Sequence, residues 1–152
     1  MPFVNGLRIH TRRATAADGA RCAQIFLDGR REAFPWQPAE RFGLDDYYDC
    51  VEDELVIVAE VDGQVVGFVS IDLPERFVHT LFIAPDWQHR GIGTVLLREA
   101  VLHLPGPAQL RCAARNAAAR AFYEHNGWVP VPDAREEPDA HVLYRKADGP
   151  LQ

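Results

Sequence analysis

The stretch Gln88-His89-Arg90-Gly91-Ile92-Gly93, followed by Thr94, lies between an apolar run that reads as a strand, FVHTLFIAP, and one that reads as a helix, TVLLREAVLHL. At a helix N-terminus several backbone N–H groups lack an intrahelical partner, and with the helix dipole they form a site for an anion. Gly91 and Gly93 remove side chains that would keep a phosphate away, while Gln88, Arg90 and Thr94 offer further donors to a pyrophosphate. Two nucleotide signatures do not fit. A P-loop requires Gly-Lys-Ser/Thr, but Gly93 is followed by Thr94 and Val95, and a Rossmann turn requires a third glycine where this chain has Leu96.

The remaining reactive residue types set limits. Cys22, Cys50 and Cys112 form an odd set without C-x-x-C spacing, which argues against a disulfide framework or a zinc site, so no metal is expected. A net charge of −6 repels a polyphosphate backbone over most of the surface, which argues against nucleic acid as a partner. Residues 42 to 75 hold ten acids and no Lys or Arg, a segment that can steer a cation or simply form a solvated face. No run approaches the ~18 apolar residues of a membrane helix, and the N-terminus lacks the apolar core of a secretory signal, so no membrane partner is expected and the cytoplasm is the default location.

The elements that must position the motif can be read in order. The 152 residues suit one domain, residues 1–152. LRIHTR alternates apolar and polar side chains as a first strand, and Thr15 with Asp18 forms a capping-box pair opening a helix through about Leu27. AFPWQPAERFGLDDYYD suits a loop and a short second helix. ELVIVAEVDGQVVGFVSIDL is two strands joined by Asp62-Gly63, a strong hairpin signal. RFVHTLFIAP is a fourth strand, and the helix after the glycine motif ends at Pro105-Gly106-Pro107. AQLRCAA is a fifth strand, parallel to the fourth because a helix connects them. Asn116 caps a helix that closes at Gly127, and WVPV and HVLYRK add two β runs across the acidic turn DAREEPDA. The order is that of an α+β protein with a mixed sheet.

The pattern Gln-x-x-Gly-x-Gly after a strand ending LFIAP resembles the acetyl-CoA motif of the GCN5-related N-acetyltransferase family. Four segments carry the resemblance in the family's order: RATAAD, EVDGQVVGFVSI, LFIAPDWQHRGIGTVLL and RNAAARAFYEHNGW. It implies a mixed, mostly antiparallel sheet of about six to seven strands, splayed between the fourth and fifth and flanked by about four helices. The fourth strand would carry a bulge, and Leu81, Phe82 and Ile83 would hold the pantetheine arm through their backbone groups. Residues 88 to 94, His89 and Ile92 included, would hold the pyrophosphate.

The resemblance also assigns chemistry. Tyr123 occupies the family's general-acid position, and Asn116, seven residues earlier, shares its helix face and would contact the cofactor. His79 sits where some members place a base, and an imidazole's ordinary pKa of about 6.5 suits that task. Other members use a glutamate nearby, whereas the neighbours here are Val78 and Thr80, which cannot serve. Trp36 and Tyr47, in the aromatic segment after helix one, are the candidate acceptor contacts. The expected function is direct transfer of acetyl from acetyl-CoA, used as co-substrate, to a primary amine of a small molecule. A protein or peptide acceptor and a CoA-binding module without turnover are the alternatives, and a homodimer is compatible with the exposed sheet edges.

Overall fold

The structure is a computed structural model that describes residues 3–4, 6–104, 106–131 and 141–146. The acidic turn over residues 133–140, Asp139 within it, and Pro105 lie outside the described residues. Nine strands are present among those described: β1 (Phe3–Val4), β2 (Leu7–Arg8), β3 (His10–Arg13), β4 (Leu55–Val61), β5 (Gln64–Asp72), β6 (Phe77–Ile83), β7 (Gln109–Ala113), β8 (Trp128–Pro130) and β9 (His141–Lys146). Four helices accompany them: α1 (Gly19–Ala33), α2 (Asp46–Cys50), α3 (Ile92–Leu102) and α4 (Ala117–His125). None of the described helices is long and apolar enough to cross a membrane.

β1 and β2 form a separate small hairpin, so the expected first strand is split between β2 and β3. The other seven strands form one mixed sheet in the order β3-β4-β5-β6-β7-β9-β8, with every neighbouring pair antiparallel except β6 and β7. The fourth and fifth strands expected from the sequence are therefore β6 and β7, and they are parallel as expected. Asp62 and Gly63 both take positive φ, 52° and 79°, which matches the twist of the β4–β5 hairpin they close.

Side-chain alternation divides the core between the two faces of the sheet. Val58 and Phe68 pack with Cys22, Ile25 and Phe26 of α1 and Tyr47 of α2, while Ile57, Val69 and Ile71 pack with Ile92, Leu96, Leu97 and Ala100 of α3. Thr15 and Asp18 cap the chain as expected: the Thr15 amide donates to Asp18 Oδ2 at 2.7 Å, and Arg12 grips the same carboxylate at 2.8 Å. That guanidinium holds the Asp18 carboxyl down at about 2.

α1 runs to Ala33, not to about Leu27. A glycine inside a helix costs about 1 kcal/mol and is easily mistaken for an end. Gly29 is there for space, because a Cβ on it would lie 2.2 Å from Phe82 Cδ1, and the helix could not then rest on β6. Its end is fixed further on by Pro35, which biases Phe34 out of the helical region; Phe34 has φ −123° and ψ 60°.

β6 carries the bulge that shapes the site. Ser70 pairs with Thr80 but Ile71 pairs with Val78, so His79 has no opposite number on β5. On its other side β6 pairs with β7 only at Phe77–Gln109 and Val78–Leu110. Beyond Val78 the two strands part, and a cleft opens between them.

Candidate active site

The cleft has a volume of about 1110 Å³, and its walls come from α1, α2, β6, β7 and α4. One wall is β6: Leu81 and Phe82 line the cleft, and past Val78 the β7-facing backbone edge of this strand has no strand partner among the described residues. Ile83 ends the strand against Gly67. Facing it are Arg111, Cys112 and Ala113 of β7, with Asn116, Ala119 and Tyr123 at the start and along the face of α4.

The chain leaves β6 through a single turn, Pro85–Trp87, and enters α3 at Gly91. His89 has φ 63° and Gly91 φ 85°, left-handed conformations that turn the backbone sharply at the helix entrance. Among the described residues no protein acceptor takes the amides of residues 89 to 94, so the end of α3 offers a row of N–H donors and the positive end of its dipole. That arrangement fits a pyrophosphate. The two glycines nevertheless do different work. Gly91 supplies the left-handed cap, whereas a Cβ on Gly93 would lie 3.2 Å from Phe122 Cζ, so Gly93 lets α3 and α4 touch. Gln88 turns back to its own strand, its Nε2 donating to the Ile83 carbonyl at 3.2 Å, and the Arg90 guanidinium stacks 5.1 Å from the centre of the Trp87 ring. Ile92 is buried beneath the loop, and Thr94 is partly buried in the first turn.

Asn116 does one of its expected jobs visibly: its Oδ1 accepts from the Ala119 amide at 3.1 Å and caps α4, while the residue lines the cleft and its Nδ2 has no acceptor among the described residues. Tyr123 lies on the next turns of that helix. Burial pushes its phenol above the usual tyrosine range, so it stays protonated at neutral pH, and its hydroxyl has no hydrogen-bond partner among the described residues. Its ring is held between Phe122 and Tyr144, with centroids at 5.4 and 6.1 Å. Tyr144 is itself fixed, receiving Arg120 Nε at 3.1 Å and donating to Glu124 Oε2 at 2.6 Å.

At the other end of the cleft, His79 is half exposed and its Nδ1 lies 2.8 Å from Glu54 Oε2. Sequence reasoning missed Glu54. It stands 25 positions from His79 among nine other acids of the 42–75 segment, and no local pattern marks it. Cys50 completes the group, with Sγ 3.9 Å from Nδ1. Burial pushes the Cys50 and Cys112 thiols up to about 11, so neither is a thiolate at neutral pH and neither suits the role of acyl carrier.

The two expected acceptor contacts lie elsewhere. Tyr47 is 4% exposed, with its ring edge-on to Phe26 and Phe68 at 6.3 and 5.3 Å, and so belongs to the core behind the cleft. Trp36 lies beneath the Arg115 guanidinium, 4.5 Å from the ring centre, and edge-on to Phe34 at 5.4 Å. Neither is among the lining residues; Phe26, Phe34 and Phe77 supply the aromatic surface instead. His141 also reaches the cleft.

Comparison with known proteins agrees with this geometry. Residues 52–130 match the acetyltransferase (GNAT) domain family. The N-alpha-acetyltransferase RimI of Mycobacterium tuberculosis is 30% identical over 90% of this chain and 91% of its own. Against two other N-acetyltransferase relatives, from Mycobacterium tuberculosis and Methanocaldococcus jannaschii, the chain spans 60% and 40% of their length. Among solved structures, apo YjaB from Escherichia coli superposes with a TM-score of 0.77 at 21% identity, covering 94% of this chain and 100% of that one. PaiA N-acetyltransferase from Thermoplasma acidophilum, solved with coenzyme A, gives 0.64 at 18% identity over 92% and 99%.

Proposed function

Since the chain belongs to the GNAT acetyltransferase family, we propose that it transfers acetyl from acetyl-CoA directly to the primary amine of a small molecule, with Tyr123 as general acid and His79 as general base. Acetyl-CoA supplies an acyl group activated on a thiol leaving group. The α3 entrance, residues 88 to 94, receives the diphosphate, and the β7-facing edge of Leu81, Phe82 and Ile83, where only the Ile83 carbonyl is engaged, by Gln88, among the described residues, receives the pantetheine arm as an added strand. Asn116 Nδ2 donates to that arm. An alkyl ammonium of ordinary pKa ~10 must lose a proton before it can attack, and His79 takes it at the acceptor end. The departing sulfur needs a proton or a strong hydrogen bond, and Tyr123 gives it.

The observation that carries this reading is Tyr123: a protonated phenol, without a hydrogen-bond partner among the described residues, on the wall of a cleft opened by parting strands. The small-molecule acceptor is supported by the Trp36–Arg115 stack, which ties the segment bearing Phe34 to the turn bearing Asn116 and so joins two cleft walls where a peptide groove would need them apart. A peptide N-terminus is the second reading, favoured by the near full-length match to RimI. Release of free thiol from acetyl-CoA is measured with spermidine, tyramine, lysine amide and an alanine-terminated peptide. Turnover with one or more of the small amines, faster than with the peptide, is the expected result; turnover with the peptide alone sinks the small-molecule reading.

A further inference from the structure

The bulge at His79 and the burial of Glu54 together give the acceptor end more structure than an exposed ion pair requires. A bulge re-aims the side chain it carries, and here it brings the imidazole to a carboxylate from a different part of the chain. Glu54 is well fixed. Its side chain is only 10% exposed, its amide donates to the Val51 carbonyl at 2.9 Å, and β4 begins at the next residue. Glu54 Oε1 is buried and has no hydrogen-bond partner among the described residues, so the bond to His79 is the only one this carboxylate makes. A buried acceptor left unpaired is a cost that a merely structural surface pair has no reason to carry.

The pairing also decides the state of the ring. An ionised carboxylate can only accept, so Nδ1 is the donor and the neutral imidazole keeps its lone pair on Nε2. The other groups around this end of the cleft are Cys50 and Asp49 of α2, Asp72 and Glu75 at the β5 turn, Arg111 of β7, and Arg30 of α1, which is paired with Asp46 at 3.0 Å. Cys50 touches the ring as a neutral thiol, so Glu54 is the charged partner in contact with it.

We propose that Glu54 is the positioning residue for acceptor deprotonation, holding His79 in the Nδ1–H tautomer with Nε2 presented to the attacking amine. This rests on the reading of His79 as the base. In the step, Nε2 takes one proton from the substrate ammonium and the ring becomes imidazolium, with Nδ1–H still donated to Glu54. The freed nitrogen lone pair forms the C–N bond as the C–S bond breaks; the nitrogen, which then carries one proton more than an amide, gives it to water, and the sulfur is protonated from Tyr123. The proton on Nε2 leaves to water through the half-exposed face of the ring, and the phenolate regains its proton from solvent. The balance is ammonium plus thioester giving amide, thiol and one proton.

Three single variants and one double variant test it: Glu54→Ala, the size-preserving Glu54→Gln, His79→Gln, and Glu54→Ala combined with His79→Gln. Long-range proton–nitrogen correlation spectra at pH 8.5, on protein labelled at histidine nitrogens, should show His79 as Nδ1–H in the native chain and shifted toward Nε2–H in Glu54→Ala. With the best amine of the panel above, kcat should fall roughly tenfold to hundredfold in Glu54→Ala, a part of the 10²–10⁴ that a general base contributes, while KM for acetyl-CoA stays unchanged. The loss should vanish in the His79→Gln background. An unchanged tautomer, or wild-type kcat in both Glu54 variants while His79→Gln is slow, overturns the inference and leaves the base in place. Wild-type kcat in His79→Gln overturns both. Coenzyme A affinity and melting temperature report whether each variant is folded, and Glu54→Leu, which also lacks an acceptor, replaces the alanine variant if that one is not.

Discussion

The two ends of the cleft are built by opposite means. The end proposed for the acyl donor is a run of neighbours: a strand, one turn, a left-handed glycine and a helix N-terminus, all between Leu81 and Thr94. The end proposed for the acceptor is assembled from distant positions, Glu54 against His79, with Trp36 against Arg115 tying its walls together from outside the lining, through side-chain contacts that only the fold creates. Backbone amides and a helix dipole serve any diphosphate, so the donor end depends on conformation. Side-chain pairs determine what else may enter, so the acceptor end depends on identity. A change at one end should therefore alter binding of the thioester, and a change at the other should alter the rate or the choice of amine.

The largest effect is expected where the ends meet. Tyr123→Phe should lower kcat by about 10²-fold or more with little change in coenzyme A affinity, because in the proposed reaction the phenol serves the departing sulfur and not the docked nucleotide. Burial raises the Tyr123 phenol above its ordinary value of about 10, so the acid form persists through neutral and moderately alkaline pH. The pH–rate profile should accordingly show no loss of the acid between pH 7 and about 9.5. An alkaline limb in that range that disappears in Tyr123→Phe would show the phenol titrating early and contradict the burial argument.

Next comes the donor end. Gly91→Val puts a β-branched side chain at φ 85°, a strain of about 1–3 kcal/mol, and should displace the α3 entrance. Coenzyme A affinity should fall about tenfold, or 1.4 kcal/mol, while the tautomer of His79 is untouched. Gly29→Ala tests the scaffold beneath both ends: its Cβ meets the Phe82 ring, and overpacking of this kind costs about 1–3 kcal/mol of stability, read as a lower melting temperature. The smallest effect belongs to the acceptor wall. Arg115→Ala removes a cation–π stack worth about 0.5–1 kcal/mol, and should raise KM for the amine two- to fivefold without moving KM for acetyl-CoA. A change in both constants would mean that the wall also shapes the donor end.

The same contrast explains what could be read before the fold was known. Gly91, the Asp62-Gly63 hairpin, the Thr15–Asp18 cap and the Asn116 and Gly127 helix limits are local signals, in which residue type answers to backbone conformation within a few positions. Gly29 and Gly93 look like the same signal but answer to distant rings, those of Phe82 and Phe122, which is why α1 came out longer than expected and why Gly93 proves to be a packing residue. Tyr47 is a candidate acceptor contact by its place after helix one, yet two phenylalanines from α1 and β5 enclose it, a contact that no local pattern marks. Glu54 was one acid among ten, and only the bulge at His79 singles it out.

Calorimetric titration with coenzyme A of the native chain, Gly91→Val and Tyr123→Phe tests the division between the ends most directly. The account predicts saturable binding of one coenzyme A per chain, weakened about tenfold in Gly91→Val and unchanged in Tyr123→Phe. Equal affinity in the native chain and Gly91→Val, or loss of binding in Tyr123→Phe alone, would contradict it.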